Sequence, residues 1–273
     1  MIFYILAWLI SIGLAVTGSL TFWKINEWYD FYRPIVLFIA GFLGFIVILW
    51  IIEDVGGRIT SSKKKTYEKP SKFNRFLLNE GMDFITRLCL ARCEVIGKNK
   101  VPHNKTYLLV CNHKSNFDNF FISNRICRQD HLAFVSKPSN FKVPLGGRHM
   151  HRQCYLPIEK DDKIQSLEVM KTCIDKISKG YTSYGIFPEG QRAKTESLLP
   201  FHEGIFNVAI HAKCPIVICA IKNTEKIAKR FPLSTKVKLK VVGVLEYEEI
   251  QGQTAKAVSD TVKGIIENAL ETL

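Results

Sequence analysis

His113 and Asp118 are the residues whose types and spacing point most directly to chemistry. An imidazole has a pKa of about 6.5, so near neutral pH it is mostly uncharged and can take a proton. A nearby carboxylate can hold the ring in one tautomer and stabilise the imidazolium that forms. Such a pair also arises by chance, so the elements around it carry weight. The apolar run Tyr107 to Cys111 leads in and reads as a buried strand, and Phe120 to Cys127 follows and reads as a helix. The pair therefore sits where a strand gives way to a helix, rigid behind and open in front. Asn116 is the expected N-cap, which puts Asp118 in the first helical turn, where negative charge is favoured.

Three further strand ends carry polar residues. Phe187-Pro188-Glu189-Gly190-Gln191-Arg192 closes an apolar strand, and its Pro and Gly impose a tight turn that places Glu189 at the mouth of the sheet. Arg192 brings a planar fork of donors suited to phosphate or carboxylate, and in isolation it is an ordinary surface arginine. Lys137, in Ser136-Lys137-Pro138, is a second candidate phosphate ligand, and Leu156 to Lys160 ends another strand. Phe201-His202-Glu203-Gly204 opens a helix. In an open α/β sheet, strand ends commonly form the ligand crevice.

Together these stretches resemble the membrane-bound glycerolipid acyltransferases, specifically the 1-acylglycerol-3-phosphate acyltransferase family. The family pattern is N-H-x4-D, a lysine-centred block with a downstream glycine, F-P-E-G-x-R, and a proline-started apolar strand. Here these read Asn112-His113 to Asp118, Lys137 to Gly147, Phe187 to Arg192, and Pro215 to Ile221, within roughly residues 70–250. The resemblance implies His113 as general base and Asp118 as its orienting partner. A lysophospholipid hydroxyl would attack an acyl thioester directly, so Ser115 is not a nucleophile. Lys137 and Arg192 would hold the acceptor phosphate, with Glu189 shaping that pocket through hydrogen bonds. Backbone N–H groups near Gly190 would stabilise the thioester oxygen.

The implied acceptor is lysophosphatidic acid, giving phosphatidic acid, with glycerol 3-phosphate or another lysophospholipid as alternatives. The donor would be acyl-coenzyme A or an acylated carrier protein, with no metal and no bound cofactor. The chain departs from the family at Lys160, where an arginine is common, at His202 and Glu203, where lysines are common, and at Gln191, where a threonine is common. These changes leave His113 and Asp118 intact and bear on acceptor identity.

The rest of the chain must position these groups. From about residue 93, candidate strands at 93–97, 106–111, 131–136, 154–158, 182–187, 215–221 and 236–246 alternate with helices at 162–179, 203–212 and 253–272. That alternation predicts a layered α/β domain with a mixed, largely parallel sheet. In the helix at 162–179, Ile164, Leu167, Met170, Ile174 and Ile177 mark the expected buried face. Residues 73–92 read as an amphipathic helix with Phe76, Leu77, Met82, Phe84, Ile85, Leu88 and Leu90 as its apolar members.

Upstream lie two apolar segments, residues 2–23 and 34–52, each near the length a bilayer-spanning helix needs. Trp23, Trp28, Tyr29 and Tyr32 form an interfacial aromatic cluster around the connector from Lys24 to Arg33. Arg58, Lys63, Lys64, Lys65, Lys69, Lys72 and Arg75 follow against the single acid Glu68, which by the positive-inside rule makes this flank cytoplasmic. The expected organisation is a membrane hairpin over 1–57, spanning the bilayer or dipping into one leaflet, a basic linker over 58–72 and the α/β domain over 73–273. The active site is then expected on the cytoplasmic face.

The net charge of +13 favours polyanionic partners, here an anionic membrane surface. Nucleic acid is not expected, because aromatic residues are not interleaved with the basic run as stacking platforms. A non-catalytic adaptor binding anionic lipid would fit the basic stretch but has no use for His113, Asp118, Glu189 and Arg192. The eight cysteines mostly lie in apolar runs without metal-binding spacing, so they read as buried free thiols.

Overall fold

The computed structural model describes residues 1–22, 25–62, 65–128, 131–144, 146–159 and 162–273. Trp23, Lys24, Lys63, Lys64 and Lys160, invoked above, lie outside the described residues.

Among the described residues, strands β1 (Ala91–Ile96), β2 (Leu108–Cys111), β3 (Leu132–Ser136), β4 (Leu156–Pro157), β5 (Ser183–Ile186), β6 (Ile216–Lys222) and β7 (Thr235–Leu245) form one sheet. Its order is β1-β7-β6-β2-β5-β3-β4. β6, β2, β5, β3 and β4 run parallel, β7 is antiparallel to β6, and β1 is parallel to β7. The sheet is thus the mixed, largely parallel one expected. Strands β2 and β5 are buried at every position and β6 at all but its last, as central strands covered on both faces must be. The parallel run matters for chemistry, because the C-terminal ends of β6, β2, β5, β3 and β4 all open on one edge.

The helices, in chain order, are α1 (Ile2–Thr21), α2 (Tyr32–Thr60), α3 (Lys72–Leu88), α4 (Asp118–Phe121), α5 (Gly147–Arg152), α6 (Lys163–Ser178), α7 (Asn207–Ala212), α8 (Ile227–Arg230), α9 (Tyr247–Ile250) and α10 (Ala255–Glu271). The segment read as one helix over 120–127 is α4 followed by a π-turn at Ile122–Ile126, with the Cys127 N–H reaching Ile122 O at 3.1 Å. The wider turn keeps Phe121, Ile122, Ile126 and Cys127 all buried against the sheet. Helix α6 buries the expected face only in its later turns, where Ile177 is buried and Met170 and Ile174 pack partly buried on the core. Val169 and Cys173 are buried beside Ile177, whereas Ile164 is 75% and Leu167 63% exposed.

The two apolar segments are helices long and apolar enough to cross a membrane, with 17% of each apolar window buried. Along α2 the buried positions are Gly41, Phe45, Leu49, Glu53 and Gly57, a stripe of every fourth residue. At its start a Cβ on Gly41 would meet Ser11 Cα at 3.1 Å, so the backbones of α1 and α2 touch there. The break expected at residue 57 falls inside α2, which continues to Thr60 and packs its last turns on the α/β domain. Residues 65–71 are not a loose tether. The buried Lys176 ammonium donates to Tyr67 O at 2.7 Å and to Glu68 O at 2.8 Å, and Arg152 donates to Lys69 O at 2.8 Å.

Helix α3 is amphipathic, ends at Leu88 rather than 92, and is turned differently from expectation. Leu77, Met82 and Phe84 are buried, but so are Asn74, Arg75, Asn79, Glu80, Asp83 and Thr86. Phe73, Phe76, Ile85 and Leu88 stay exposed, with Phe76 edge-on to Phe3 of the hairpin at 5.9 Å. The inward polar face has partners. Asp83 pairs with Arg87 at 2.7 Å and Arg125 at 3.1 Å, and Glu80 pairs with Arg128. No disulfide joins the eight cysteines, and six of them are buried.

Candidate active site

The end of β2 is fixed by a side chain that imitates sheet pairing. The Asn112 amide is fully buried, donates to Ile221 O at 2.9 Å and accepts the Ile221 N–H at 2.8 Å. It thus continues the β2–β6 ladder by one rung past Cys111↔Cys219 and ends the strand in a defined direction.

His113 follows. Its Nδ1 lies 2.7 Å from Asp118 Oδ2, and its Nε2 has no partner among the described residues. Phe187 lies flat against the ring, 4.2 Å between centroids and 16° from parallel. Main-chain bonds hold the residue from both sides: its N–H donates to Glu189 Oε1 at 2.7 Å, and its carbonyl accepts the Ala193 N–H at 2.8 Å.

Asp118 is completely buried. Besides the imidazole, Oδ2 accepts the N–H groups of Lys114 at 2.7 Å and Ser115 at 2.8 Å, while Oδ1 accepts the Thr224 hydroxyl. Four donors converge on one carboxylate, which fixes it as an acceptor and leaves Nδ1 of His113 as the N–H that donates to it. Nε2 then carries the free lone pair. Asn116 caps nothing; it is exposed, Phe117 is the N-cap residue, and the chain turns on Asp118's own carboxylate.

Thr224 is the residue that sequence reasoning missed. It is buried just beyond β6, at the edge where β2 ends. The available signal was the polar triplet Lys222-Asn223-Thr224 closing the fourth motif's strand. Thr224→Val is expected to lower turnover about tenfold with little change in substrate affinity, since a hydrogen bond to a charged group is worth about 1.5–3 kcal/mol. Thr224→Ser should stay near wild type, and steady-state kinetics of both variants check this.

Glu189 is 2% exposed and turned inward. Its second oxygen accepts the Leu199 N–H at 3.0 Å, so both oxygens brace backbone rather than face a ligand. Burial pushes this carboxyl above the usual range, against the pull of those two N–H donors and of Lys114 and His113. Gly190 has φ +64°, and a Cβ there would lie 2.8 Å from the His202 ring. The Gly190 N–H is spent within its turn on Phe187 O at 3.1 Å, so it is not a donor to a thioester oxygen as expected.

Arg192 and Lys137 are exposed at the same edge, and neither side chain has a partner among the described residues. Arg192 adjoins Ala193, whose N–H is bonded to His113 O. Lys137 ends β3, two strands from β2, or about 10 Å at ordinary strand spacing. The segment carrying Arg192 is strapped to the His113 loop by Lys114, whose ammonium donates to Thr195 O and Glu196 O. The edge thus joins a paired imidazole with an open lone pair to two exposed cations.

The acyltransferase family model matches residues 92–222. A chloroplastic 1-acyl-sn-glycerol-3-phosphate acyltransferase of Brassica napus is 28% identical over 137 residues, covering 50% of this chain and 39% of its own. The 1-acyl-sn-glycerol-3-phosphate acyltransferase of Escherichia coli is 29% identical over 121 residues, 44% of this chain and 49% of its own. The chain thus spans less than half the length of these relatives. The crystal structure of the 1-acyl-sn-glycerophosphate acyltransferase PlsC from Thermotoga maritima superposes with a TM-score of 0.60 at 18% identity. That likeness covers 99% of this chain and 96% of the other, so the whole fold is shared, hairpin included.

Proposed function

We propose, on the premise that residues 92–222 make this chain a member of the acyltransferase family, that it acylates the free hydroxyl of 1-acylglycerol 3-phosphate to give phosphatidic acid. The observation that carries this reading is the His113–Asp118 pair at 2.7 Å with Nε2 open at the sheet edge beside Arg192. The acceptor hydroxyl gives its proton to Nε2 as its oxygen attacks the thioester carbonyl. The buried Asp118 carboxylate stabilises the imidazolium that forms. Collapse of the tetrahedral intermediate breaks the C–S bond, and the leaving thiolate takes the proton from Nε2. The products are the acylated lipid and a free thiol, with His113 restored and no acyl-enzyme formed. The donor is acyl-coenzyme A or an acylated carrier protein.

Arg192 and Lys137 bind the acceptor phosphate, Arg192 through its planar fork and Lys137 as a point charge. Glu189 acts indirectly, fixing the His113 loop and the Arg192 segment against each other. The hairpin holds the domain at a membrane where the lysophospholipid resides, which raises the effective concentration of that substrate. Arg58, Lys65, Lys69 and Lys72 are exposed and face the cytoplasmic surface and its anionic lipids, whereas Arg75 is turned inward onto Cys127 O and Arg128 O.

Comparing acceptors tests the assignment. With lysophosphatidic acid, Arg192→Ala and Lys137→Ala should each raise the acceptor KM about tenfold while the donor KM stays unchanged. Glycerol 3-phosphate and lysophosphatidylcholine should react more slowly in the wild type. A preference for 1-acylglycerol, which has no phosphate, would overturn the assignment.

A further inference from the structure

His149 lies outside the His113 site and is completely buried. Its ring stands where three helices meet, which none of the motifs above accounts for. Nδ1 is 2.9 Å from Asn74 Nδ2 on α3. Nε2 is 2.9 Å from the Glu53 carbonyl oxygen and 3.0 Å from Glu53 Oε2, both on α2. The direction of these bonds follows from their neighbours. The Asn74 amide nitrogen also donates to Thr60 Oγ1 at 2.7 Å, and that hydroxyl spends its own hydrogen on Gly56 O. Asn74 therefore donates to Nδ1, and Nε2 carries the N–H that points at Glu53.

We propose that His149 is a positioning residue that locks the apolar hairpin to the Lys137 loop, and so sets where the acceptor phosphate is held. The proposal rests on the acyltransferase reading for its substrate. Glu53 continues the buried stripe Gly41, Phe45, Leu49, where packing alone would be served by another apolar side chain. The His149 N–H is bonded to the Glu53 carbonyl, with Glu53 Oε2 at 3.0 Å beside it, so the ring meets α2 at this one turn. The helices are in direct contact at this level, since a Cβ on Gly57 would meet Arg148 Cβ at 3.1 Å and His149 Nε2 at 3.4 Å.

The joint is transmitted forward through α5. Its first residue, Gly147, has no room for a side chain: a Cβ would lie 2.1 Å from Phe141 O. The Gly147 N–H donates to Val143 O at 3.0 Å. At the other end of this loop the Asn140 N–H donates to Lys137 O at 3.0 Å, and the Asn140 amide donates to Ser136 Oγ at 2.8 Å. The chain from Lys137 to Pro144 is thus folded back on the start of α5. A shift of α5 away from Glu53 moves the Phe141 turn, and the Phe141 turn carries Lys137.

The test uses the full chain in vesicles of phosphatidylcholine with phosphatidylglycerol. His149→Leu removes both polar links, and His149→Gln restores a donor toward Glu53. His149→Leu should raise the KM for lysophosphatidic acid at least tenfold, with kcat and the acyl-donor KM within twofold of wild type. His149→Gln should recover most of that loss. Hydrogen exchange within residues 138–147 should quicken at least tenfold, while β2 and β5 keep their protection. Gly57→Leu drives a side chain between α2 and α5, breaks the same joint from the hairpin side, and replaces His149→Leu should that variant fail to fold. Unchanged exchange over 138–147, or an equal loss of protection across the whole domain, would overturn the proposal. Wild-type inactivity toward lysophosphatidic acid would instead remove the substrate reading and leave the exchange result to decide the joint.

Discussion

Replacing His113 with alanine is expected to lower kcat by about 10²–10⁴-fold, the range that a positioned general base supplies. The fold should survive the change. The two bonds that fix residue 113 run from its backbone N–H to Glu189 and from its carbonyl to Ala193, and alanine keeps both. What is lost is the ring stacked on Phe187 and the link to Asp118, and the ring is already 20% exposed. A stacked pair is worth about 0.5–1.5 kcal/mol beyond its burial, so the melting temperature should fall by a few degrees at most. Steady-state rates and thermal melts of the purified variant check both halves. A folded variant that retains wild-type turnover would remove His113 from the chemistry.

Asp118→Asn should lose as much turnover as His113→Ala, or nearly so, with KM values close to wild type. The substitution is nearly isosteric, and its placement is forced by the four donors around it. The amide oxygen takes the position of Oδ2, facing the His113 ring and the Lys114 and Ser115 N–H groups, and the NH₂ takes the position of Oδ1. There it meets Thr224, whose hydroxyl can turn to accept instead of donate. The loop therefore keeps its shape. The imidazolium formed during attack, however, faces a neutral amide in a fully buried position, where the missing charge counts most. Asp118→Ala is the less informative change, because it leaves the Lys114 and Ser115 donors without their acceptor. Matching kinetics with circular dichroism separates the two outcomes, and a large loss of KM rather than kcat would mean that Asp118 serves substrate binding.

Much of this architecture was legible in the sequence, for reasons that differ by element. The seven strands were readable because central parallel strands are unbroken apolar runs, as Leu108–Cys111 and Ile216–Ile221 are. The His113, Glu189 and Arg192 stretches fell on strand ends, and a parallel run gathers those ends on one edge. Helix faces were harder. In α3 the periodicity was present, but which side turned inward depended on Arg125 and Arg128 meeting Asp83 and Glu80, a pairing that no local pattern contains. In α6, Ile164 and Leu167 kept the helical spacing of Ile177 yet stay exposed, because spacing alone does not say how far along a helix its cover extends.

Within the site, local spacing gave His113 and Asp118, while the groups that fix them came from far along the chain. Thr224 lies 106 residues from Asp118, and the Asn112 amide bonds to Ile221 from 109 residues away. Glu189 changed its role for the same reason. Its turn was evident from the flanking Pro and Gly, but whether its carboxylate faced a ligand or the backbone of His113 depended on how β2 and β5 lie side by side.

The most direct measurement is product formation by the purified full chain in lipid micelles supplied with lysophosphatidic acid and a long-chain acyl-coenzyme A, with His113→Ala alongside. The account predicts phosphatidic acid and free coenzyme A in equal amounts from the wild type and almost none from the variant. Absence of product from the wild type with acyl-coenzyme A, with an acylated carrier protein, and with every phosphate-bearing acceptor would contradict it.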